Sequence, residues 1–481
     1  MNPIHIDCLL QHLHSENDKI ALGDNKISIS YQDLYRQVSS ISSSLSSISN
    51  NRIGILMDSS ITSYAAILAC WLNRKSYVPL STTYPEKRIQ RIIDLAKLTH
   101  IIHEANFNPN ETNIIGTQWM NSLDLLDKIP ESVEITIPNL NCEAYVLFTS
   151  GTTGEPKGVP ILHSSLHAFV ESFYSLNYKL TSTDRFLQMF ELTFDLSIMS
   201  FLVPLTIGAS FFIPDRKKIK PLAIYEILEN RKITFALLVP SFVKTLEPLV
   251  RGETIESLKY TQFCGEALTL QIASSWQKIC PNSTIDNVYG PTEATIYCSH
   301  YRLPKYGIPK NKNGIISIGF EMNGTKFLIH NKELHIGGKQ LTDGYIQEEL
   351  NKQAFICIDS NRYYKTGDFS EYIESEYYCL GRLDQQVKIQ GHRVELSEIE
   401  HAFQTSFPES QSIALHRNIE EKDELILIIN TIELSTITNH IAQELQKKLP
   451  HYMLPTRYKF ITSWPLNQNG KIDRNRLKNE L

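Results

Sequence analysis

Tyr145-Val-Leu-Phe-Thr-Ser-Gly-Thr-Thr-Gly-Glu-Pro-Lys-Gly-Val159 runs an apolar, strand-forming segment straight into a loop of hydroxyls, glycines and one lysine. Such a loop offers backbone N–H groups and Ser/Thr hydroxyls to phosphate oxygens. The missing side chains at Gly151, Gly154 and Gly158 let those phosphates come close. It is not the Walker-type loop, because Gly154 is followed by Glu155 and Pro156 and not by Lys-Ser/Thr. Alone, the stretch leaves a Gly/Thr-rich surface turn open beside a nucleotide site.

At 481 residues the chain exceeds one ordinary core, so two or three domains are expected. An apolar content of 42% with 21% charged residues is that of a globular protein. The net charge of −5 gives no basic footprint for nucleic acid. The eight cysteines, at 8, 70, 142, 264, 280, 298, 357 and 379, include no CxxC pair and read as reduced, mostly buried thiols of a cytoplasmic protein. The opening residues Met-Asn-Pro-Ile-His-Ile-Asp-Cys lack the basic and apolar regions of a signal peptide. One stretch imitates a membrane span, since residues 196–214 carry no charge. Pro204, Gly208 and several hydroxyls interrupt it, so it parses as a buried helix, a turn near 206–208 and a short strand at 209–213, with no membrane insertion.

Residues 39–49 look low in complexity. Yet Leu34, Val38, Ile41, Leu45 and Ile48 recur at steps of four, three, four and three, which predicts an amphipathic helix. Strands at 52–57 and 77–80 flank a helix through 65–71, and further strands fall at 235–239, 260–263 and 284–288 with helical segments between. This alternation predicts a doubly wound α/β body. From about residue 315 short strands crowd together, at 315–318, 325–329, 333–336 and 377–380, which predicts a β-rich subdomain over 315–383. Beyond Asp384 mixed α and β character resumes, with helices near 397–404 and 438–448. We expect a large N-terminal domain, 1–383, and a small C-terminal α+β domain, 384–481.

Seven short strings span nearly the whole chain. They are Tyr77-Val-Pro-Leu80 with Tyr84-Pro85, the glycine-rich loop, Phe194-Asp-Leu-Ser197, Asn287-Val-Tyr-Gly-Pro-Thr-Glu293, Tyr364-Lys-Thr-Gly-Asp368, Gly381-Arg-Leu-Asp-Gln-Gln-Val-Lys-Ile389 and Asn469-Gly-Lys-Ile-Asp473. In this order they resemble the adenylate-forming (ANL) superfamily: acyl-CoA synthetases, luciferases and the adenylation domains of peptide synthetases. The resemblance implies a large α/β body with a mobile C-terminal lid domain. It also implies a reaction joining a carboxylate to the α-phosphate of ATP with loss of pyrophosphate, after which a thiol takes the acyl group and displaces AMP. Two anions must meet in that first step, so positive charge and oriented dipoles should dominate the site.

By the same resemblance Thr149, Ser150, Gly151, Thr152 and Thr153 grip the β- and γ-phosphates, and Lys157 supplies mobile charge. Tyr289 stacks on adenine, Asn287 and Gly290 meet its edge, and Thr292 bonds the α-phosphate. Glu293 holds Mg²⁺, a hard cation suited to carboxylate and phosphate oxygens. Asp368 is the bidentate acceptor for the ribose hydroxyls and Arg382 a second ribose contact; in isolation a surface turn and a solvated charge are the plainer readings. Lys471 reaches the substrate carboxylate and α-phosphate, a task for a compact ammonium on a flexible stem. Asp384 is the hinge, about which the C-terminal domain exchanges Lys471 for the face carrying Gly391 and a thiol channel.

Asp195 narrows the acyl group. In the amino-acid-activating branch an aspartate in the Phe-Asp string pairs with the substrate α-ammonium, and a carboxylate amid apolar residues is costly without a cation. A helix N-cap is the competing reading. The pocket walls matched to this branch, Leu196, Met199, Cys264, Val288 and Ile296, carry no charge, so a small or apolar amino acid is expected. Residues 193–199 and Phe263-Cys-Gly-Glu266 resemble the ligases that load D-alanine onto a carrier protein, where the cysteine lies near the substrate α-carbon. Cys264 as a small core residue stays open. No carrier-domain Gly-x-x-Ser and no condensation His-His-x-x-x-Asp follow Lys471, so the expected partner is a separate phosphopantetheinylated carrier protein.

Two departures fall in the β-rich region. Ile316-Ser-Ile-Gly-Phe-Glu321 lacks the proline common after the family's Ile-Gly, and a later glycine-rich motif is reduced to His335-Ile-Gly-Gly-Lys339 and Asp343-Gly-Tyr345. The expected activity is ATP-dependent activation of a small amino acid, D-alanine first, and its transfer to the carrier thiol. An L-amino-acid adenylating enzyme of a nonribosomal peptide pathway and an acyl-CoA synthetase are the alternatives. Retention of Lys157, Glu293, Asp368 and Lys471 together argues against a catalytically dead AMP-binding regulator.

Overall fold

The computed structural model describes residues 2–15, 18–127, 135–150, 155–250, 252–384, 386–419, 422–430, 435–465, 472 and 474–480. Gly151, Thr152, Thr153, Gly154 and Lys471 lie outside the described residues.

The serine-rich stretch is helical for local reasons. Ser30 caps the helix Tyr31–Leu45: its hydroxyl accepts the Asp33 N–H while Asp33 accepts the Ser30 N–H, a reciprocal capping box. Leu34, Val38, Ile41 and Leu45 are all buried, as the four-three spacing requires. Ser43 and Ser46 turn their hydroxyls back onto carbonyls three residues earlier, so the serines are accommodated without breaking the helix.

The expected α/β body is present, with its strands divided between two sheets. A six-stranded sheet runs Gln118–Asn121, His100–His103, Arg52–Leu56, Ser76–Leu80, Glu143–Thr149 and Lys157–Leu162. Only its last pair is antiparallel. A nine-stranded sheet runs Phe320–Glu321, Ser299–Arg302, Thr284–Tyr289, Tyr260–Phe263, Phe235–Leu238, Arg185–Leu187, Ser210–Phe212, Ile20–Gly23 and Ser28–Ser30, parallel through its middle. One core joins both sheets to the helices Tyr31–Leu45, Ile61–Trp71, His163–Ser175 and Leu196–Thr206. Parallel strands buried on both faces read as continuous apolar runs, which is why Arg52–Leu56 and Phe235–Leu238 were legible. His5 and His163, both fully buried, meet at 2.8 Å against Trp71 and tie the helix Ile4–Ser15 to this core. Burial drives both imidazoles' pKa values down, His163 to about 3, so each sits there neutral.

The charge-free stretch resolves as expected into the buried helix Leu196–Thr206, a turn at Gly208 (φ +67°) and the strand Ser210–Phe212. Among the described residues no helix is long and apolar enough to cross a membrane.

The β-rich region is an antiparallel sheet of Thr325–His330, Glu333–Gly338, Asn361–Ile373, Phe355–Ile358 and Glu376–Arg382. Asp368 therefore lies within a thirteen-residue strand and not on a surface turn. The pattern gives no strand signal here, because the buried face is the polar one: Thr366, Asp368 and Ser370 point in while Lys365, Phe369 and Glu371 are more exposed. The C-terminal residues form the hairpin Gln386–Ile389 with His392–Glu395, a three-stranded sheet and the helices Leu396–Ser406 and Ser435–Gln446. Two apolar clusters there draw their buried members from 389 onward, apart from the large core.

Candidate active site

The glycine-rich loop closes an antiparallel pair in which Thr149 stands opposite Lys157. Ser150, at the strand's end, is buried, and its hydroxyl donates to the Arg393 carbonyl at 2.7 Å. Lys157 is half-buried, 3.9 Å from Glu395 and 5.9 Å from the centre of the Tyr345 ring. Burial, with Arg393 close by, draws the Lys157 pKa down.

A cleft of about 420 Å³ is lined in part by Asn287, Val288, Tyr289, Gly290, Asp368 and Arg382. Asp368 is buried, with one carboxylate oxygen 2.7 Å from Arg382 and the other accepting the Tyr289 hydroxyl. Burial alone would raise its pKa; Arg382, Lys388 and the Tyr289 hydroxyl outweigh it, so the carboxyl ends below its usual value and stays ionised. The Asn287 amide nitrogen donates to the Ser317 carbonyl at 2.8 Å, which leaves its oxygen for a ligand's edge. Gly290 has a steric reason of its own: a Cβ there would stand 2.4 Å from Tyr297 Cα.

Glu293 is fully buried on the short turn Thr292–Ala294. The turn is followed by two β-branched residues with positive φ, Thr295 at +55° and Ile296 at +72°. A β-branched residue in that region is strained. The Gln340 side chain braces the strain by donating to the carbonyls of Ala294, Thr295 and Tyr297. Glu293 accepts the Tyr345 hydroxyl at 2.6 Å and Arg393 Nη1 at 3.1 Å. Burial pushes its pKa up, but the Arg393 guanidinium and the tyrosine bond pull it below the ordinary carboxylate value.

A second, smaller cavity of about 60 Å³ adjoins the first and is lined by Phe194, Asp195, Leu196 and Cys264 among others. Asp195 occupies the N-cap position of Leu196–Thr206 without a side-chain cap bond further into the helix, and its carboxylate takes the adjacent Leu196 N–H. It is 5% exposed. Burial lifts its pKa to about 7 despite a hydrogen bond from Thr292 and the charge of Lys388. Thr292 is thus engaged with Asp195. Burial lifts the neighbouring Cys264 thiol to about 12, so it stands as a small neutral wall. Of the remaining walls, Leu196 reaches this cavity and Val288 the larger cleft, while Met199 and Ile296 are wholly buried and line neither.

The hairpin Gln386–Ile389/His392–Glu395 brings residues that motif reading did not assign. Lys388 lines both cavities, 5.7 Å from the centre of the Tyr289 ring. Arg393 also donates to the Tyr364 hydroxyl at 3.1 Å and to Gln386 at 2.8 Å. The tip is fixed by Glu266, which takes bonds from Ser241 and from the Gly391 backbone. A Cβ on Gly391 would stand 2.6 Å from Val239. Asp384 is bonded to Arg382 and to the Gln386 N–H. Behind the hairpin, Arg88 and Glu398 form a buried ion pair at 2.5 Å, and His392 stacks on Tyr452 at 4.0 Å. Arg393 and Glu395 lie two apart on one strand face, but a lone arginine and glutamate past a motif give no signal of their own.

Residues 10–346 match the AMP-binding enzyme family. The chain is 32% identical to the D-alanine–D-alanyl carrier protein ligase of Staphylococcus epidermidis, over 83% of this chain and 84% of that protein. It is 30% identical to the Lactococcus lactis ligase of the same name, over 96% of each. It is also 31% identical to a plipastatin synthase of Bacillus subtilis over 95% of this chain, but spans only 13% of that protein's length. In fold it is similar to the Vibrio cholerae adenylation domain AlmE, solved in complex with glycyl-adenosine-5'-phosphate, with a TM-score of 0.83, 22% identity and coverage of 100% and 98%.

Proposed function

The chain belongs to the AMP-binding enzyme family of adenylate-forming ligases, and from that premise we propose that it activates a small amino acid, D-alanine first, as the aminoacyl-adenylate and passes it to the phosphopantetheine thiol of a carrier protein. The observation carrying this reading is Asp195. A carboxylate buried at this small cavity, its pKa lifted by burial despite Thr292 and Lys388, is costly when ionised and stabilised by a substrate ammonium. The small neutral wall of Cys264 and the size of the cavity favour a short side chain.

In this reading adenosine occupies the larger cleft, with Tyr289 against the base and Asp368 and Arg382 at the ribose. Ser150 and Lys157 face the β- and γ-phosphates. Mg²⁺, which neutralises phosphate charge during transfer, fits the donor set: Glu293 is a buried, ionised carboxylate. No cluster of three or more ligating side chains exists among the described residues. One carboxylate with substrate phosphates supplying the rest is how Mg²⁺ is usually held. Lys471, carried over from the family motif, meets the reacting carboxylate. We place the domain boundary at 383/384, with Asp384 as the hinge.

Transfer separates this reading from its rivals. Incubation with ATP, D-alanine and a phosphopantetheinylated D-alanyl carrier protein should give a mass gain of one alanyl group on the carrier. An unloaded carrier, with CoA thioester formed in its place, would favour the acyl-CoA synthetase reading.

A further inference from the structure

A chain of hydrogen bonds between residues with no role so far runs inward to the smaller cavity. Asp286, fully buried, lies on the strand Thr284–Tyr289. The antiparallel neighbour Ser299–Arg302 sets Arg302 Nε at 2.8 Å and His300 Nε2 at 2.9 Å from one of its oxygens. The other oxygen accepts the Tyr178 hydroxyl at 2.8 Å. That hydroxyl in turn accepts the Gln262 amide N–H at 2.8 Å, and the Gln262 oxygen accepts the Tyr297 hydroxyl at 3.0 Å. The outer end fixes the direction. A carboxylate only accepts, so Tyr178 donates to it and takes the nitrogen end of Gln262, which turns the amide oxygen to Tyr297.

Gln262 and Tyr297 are wholly buried behind the cavity walls. Gln262 precedes Cys264 by two residues, the spacing of one strand face, and the Cys264 N–H continues the ladder to the Leu238 carbonyl. Tyr297 backs Gly290, which lines both cavities: a Cβ on Gly290 would stand 2.4 Å from Tyr297 Cα. Gln340 holds the Tyr297 backbone by donating to its carbonyl at 2.9 Å. We infer that Asp286 and Tyr178, acting through Gln262 and Tyr297, keep the floor of the smaller cavity rigid and so limit the length of side chain it admits. The inference rests on the amino-acid reading of that cavity and adds two positioning residues that touch no substrate. A fully satisfied buried network selects one packing of its members. Without the Tyr178 hydroxyl, the Gln262 amide is left with a buried N–H lacking that acceptor, so it turns to find another and releases Tyr297. The Tyr178 ring is held separately, with the centres of Phe173, Phe235 and Tyr260 at 5.3, 5.4 and 4.9 Å.

The test is a selectivity ratio. ATP–pyrophosphate exchange is measured with D-alanine and with D-2-aminobutyrate, one methylene longer, in the full chain and in Tyr178→Phe, Gln262→Leu and their double variant. The KM for ATP is followed in parallel. A rigid pocket refuses one extra methylene by about 10- to 200-fold, so Tyr178→Phe should lower the D-alanine to D-2-aminobutyrate ratio of kcat/KM by about tenfold. The KM for ATP should stay at the parent value. Adding Tyr178→Phe to Gln262→Leu should change the ratio no further, because the chain of bonds is already cut. Tyr297→Phe, which cuts it at the inner end, should give the same drop and serves if Tyr178→Phe does not fold. An unchanged ratio in these variants would overturn the inference while leaving the amino-acid reading intact. Additive effects in the double variant, or an equal loss for both amino acids with a raised KM for ATP, would also overturn it. Absence of exchange with D-alanine in the parent chain would overturn the D-alanine reading itself, and the inference with it.

Discussion

Replacing Asp195 with asparagine should cut kcat/KM for the amino acid in adenylate formation by roughly a thousandfold, while stabilising the ligand-free chain at pH 8. The first effect follows from breaking a buried ion pair by removing one partner, which costs about 4 kcal/mol. The loss should fall on the amino acid and not on ATP, because Asp195 lines the smaller cavity and is absent from the lining of the larger cleft. The second effect follows from linkage. Burial raises the Asp195 pKa from 3.8 to about 7, so the folded chain holds that proton more tightly than the unfolded chain. Stability is therefore full below 3.8 and is lost as pH rises to about 7, a penalty of up to about 4 kcal/mol. Asparagine removes the penalty. Urea unfolding at pH 5 and pH 8 reads it directly, with the gap between variant and parent widening at the higher pH. An unchanged amino-acid KM would contradict the ammonium pairing, and a variant less stable than the parent at pH 8 would mean that Asp195 is already charge-paired.

Lys471→Ala should reduce adenylate formation by about 10³-fold or more, the scale expected when a cation is removed from where two anions meet. ATP binding and the fold should change little, because the cleft for adenosine is built from other residues. Ile472 packs against the cluster of Ile413, Leu415, Ile426, Ile428 and Leu477. Transfer from preformed aminoacyl-adenylate should survive the substitution, since the hairpin brings its own cations, Lys388 and Arg393, to the site. Equal loss in both half-reactions would give Lys471 a structural role.

What could be read in the sequence was whatever keeps a local signature. Strands buried on both faces gave apolar runs, Ser30 and the Leu34–Leu45 spacing gave a helix, and Asp195 stood out as a carboxylate amid apolar neighbours. Asp368 could be placed only by its motif, because the strand holding it buries its polar side. The same holds for Tyr345 and Tyr364, whose hydroxyls reach Glu293 and Arg393 across long sequence separations. Arg393 and Glu395 were illegible for a related reason: their partners lie 100 and 238 residues away, at Glu293 and Lys157. Met199 and Ile296, expected as pocket walls, are fully buried and line neither cavity, and residue type alone does not separate lining from packing.

The central claim, activation of a small amino acid with D-alanine preferred, is tested most directly by amino-acid-dependent ATP–pyrophosphate exchange across D-alanine, L-alanine, glycine, L-serine, L-proline and L-valine. The account predicts fastest exchange with D-alanine, and none with any of them when Asp195 is replaced. Strong exchange with L-proline or L-valine and none with D-alanine would contradict it.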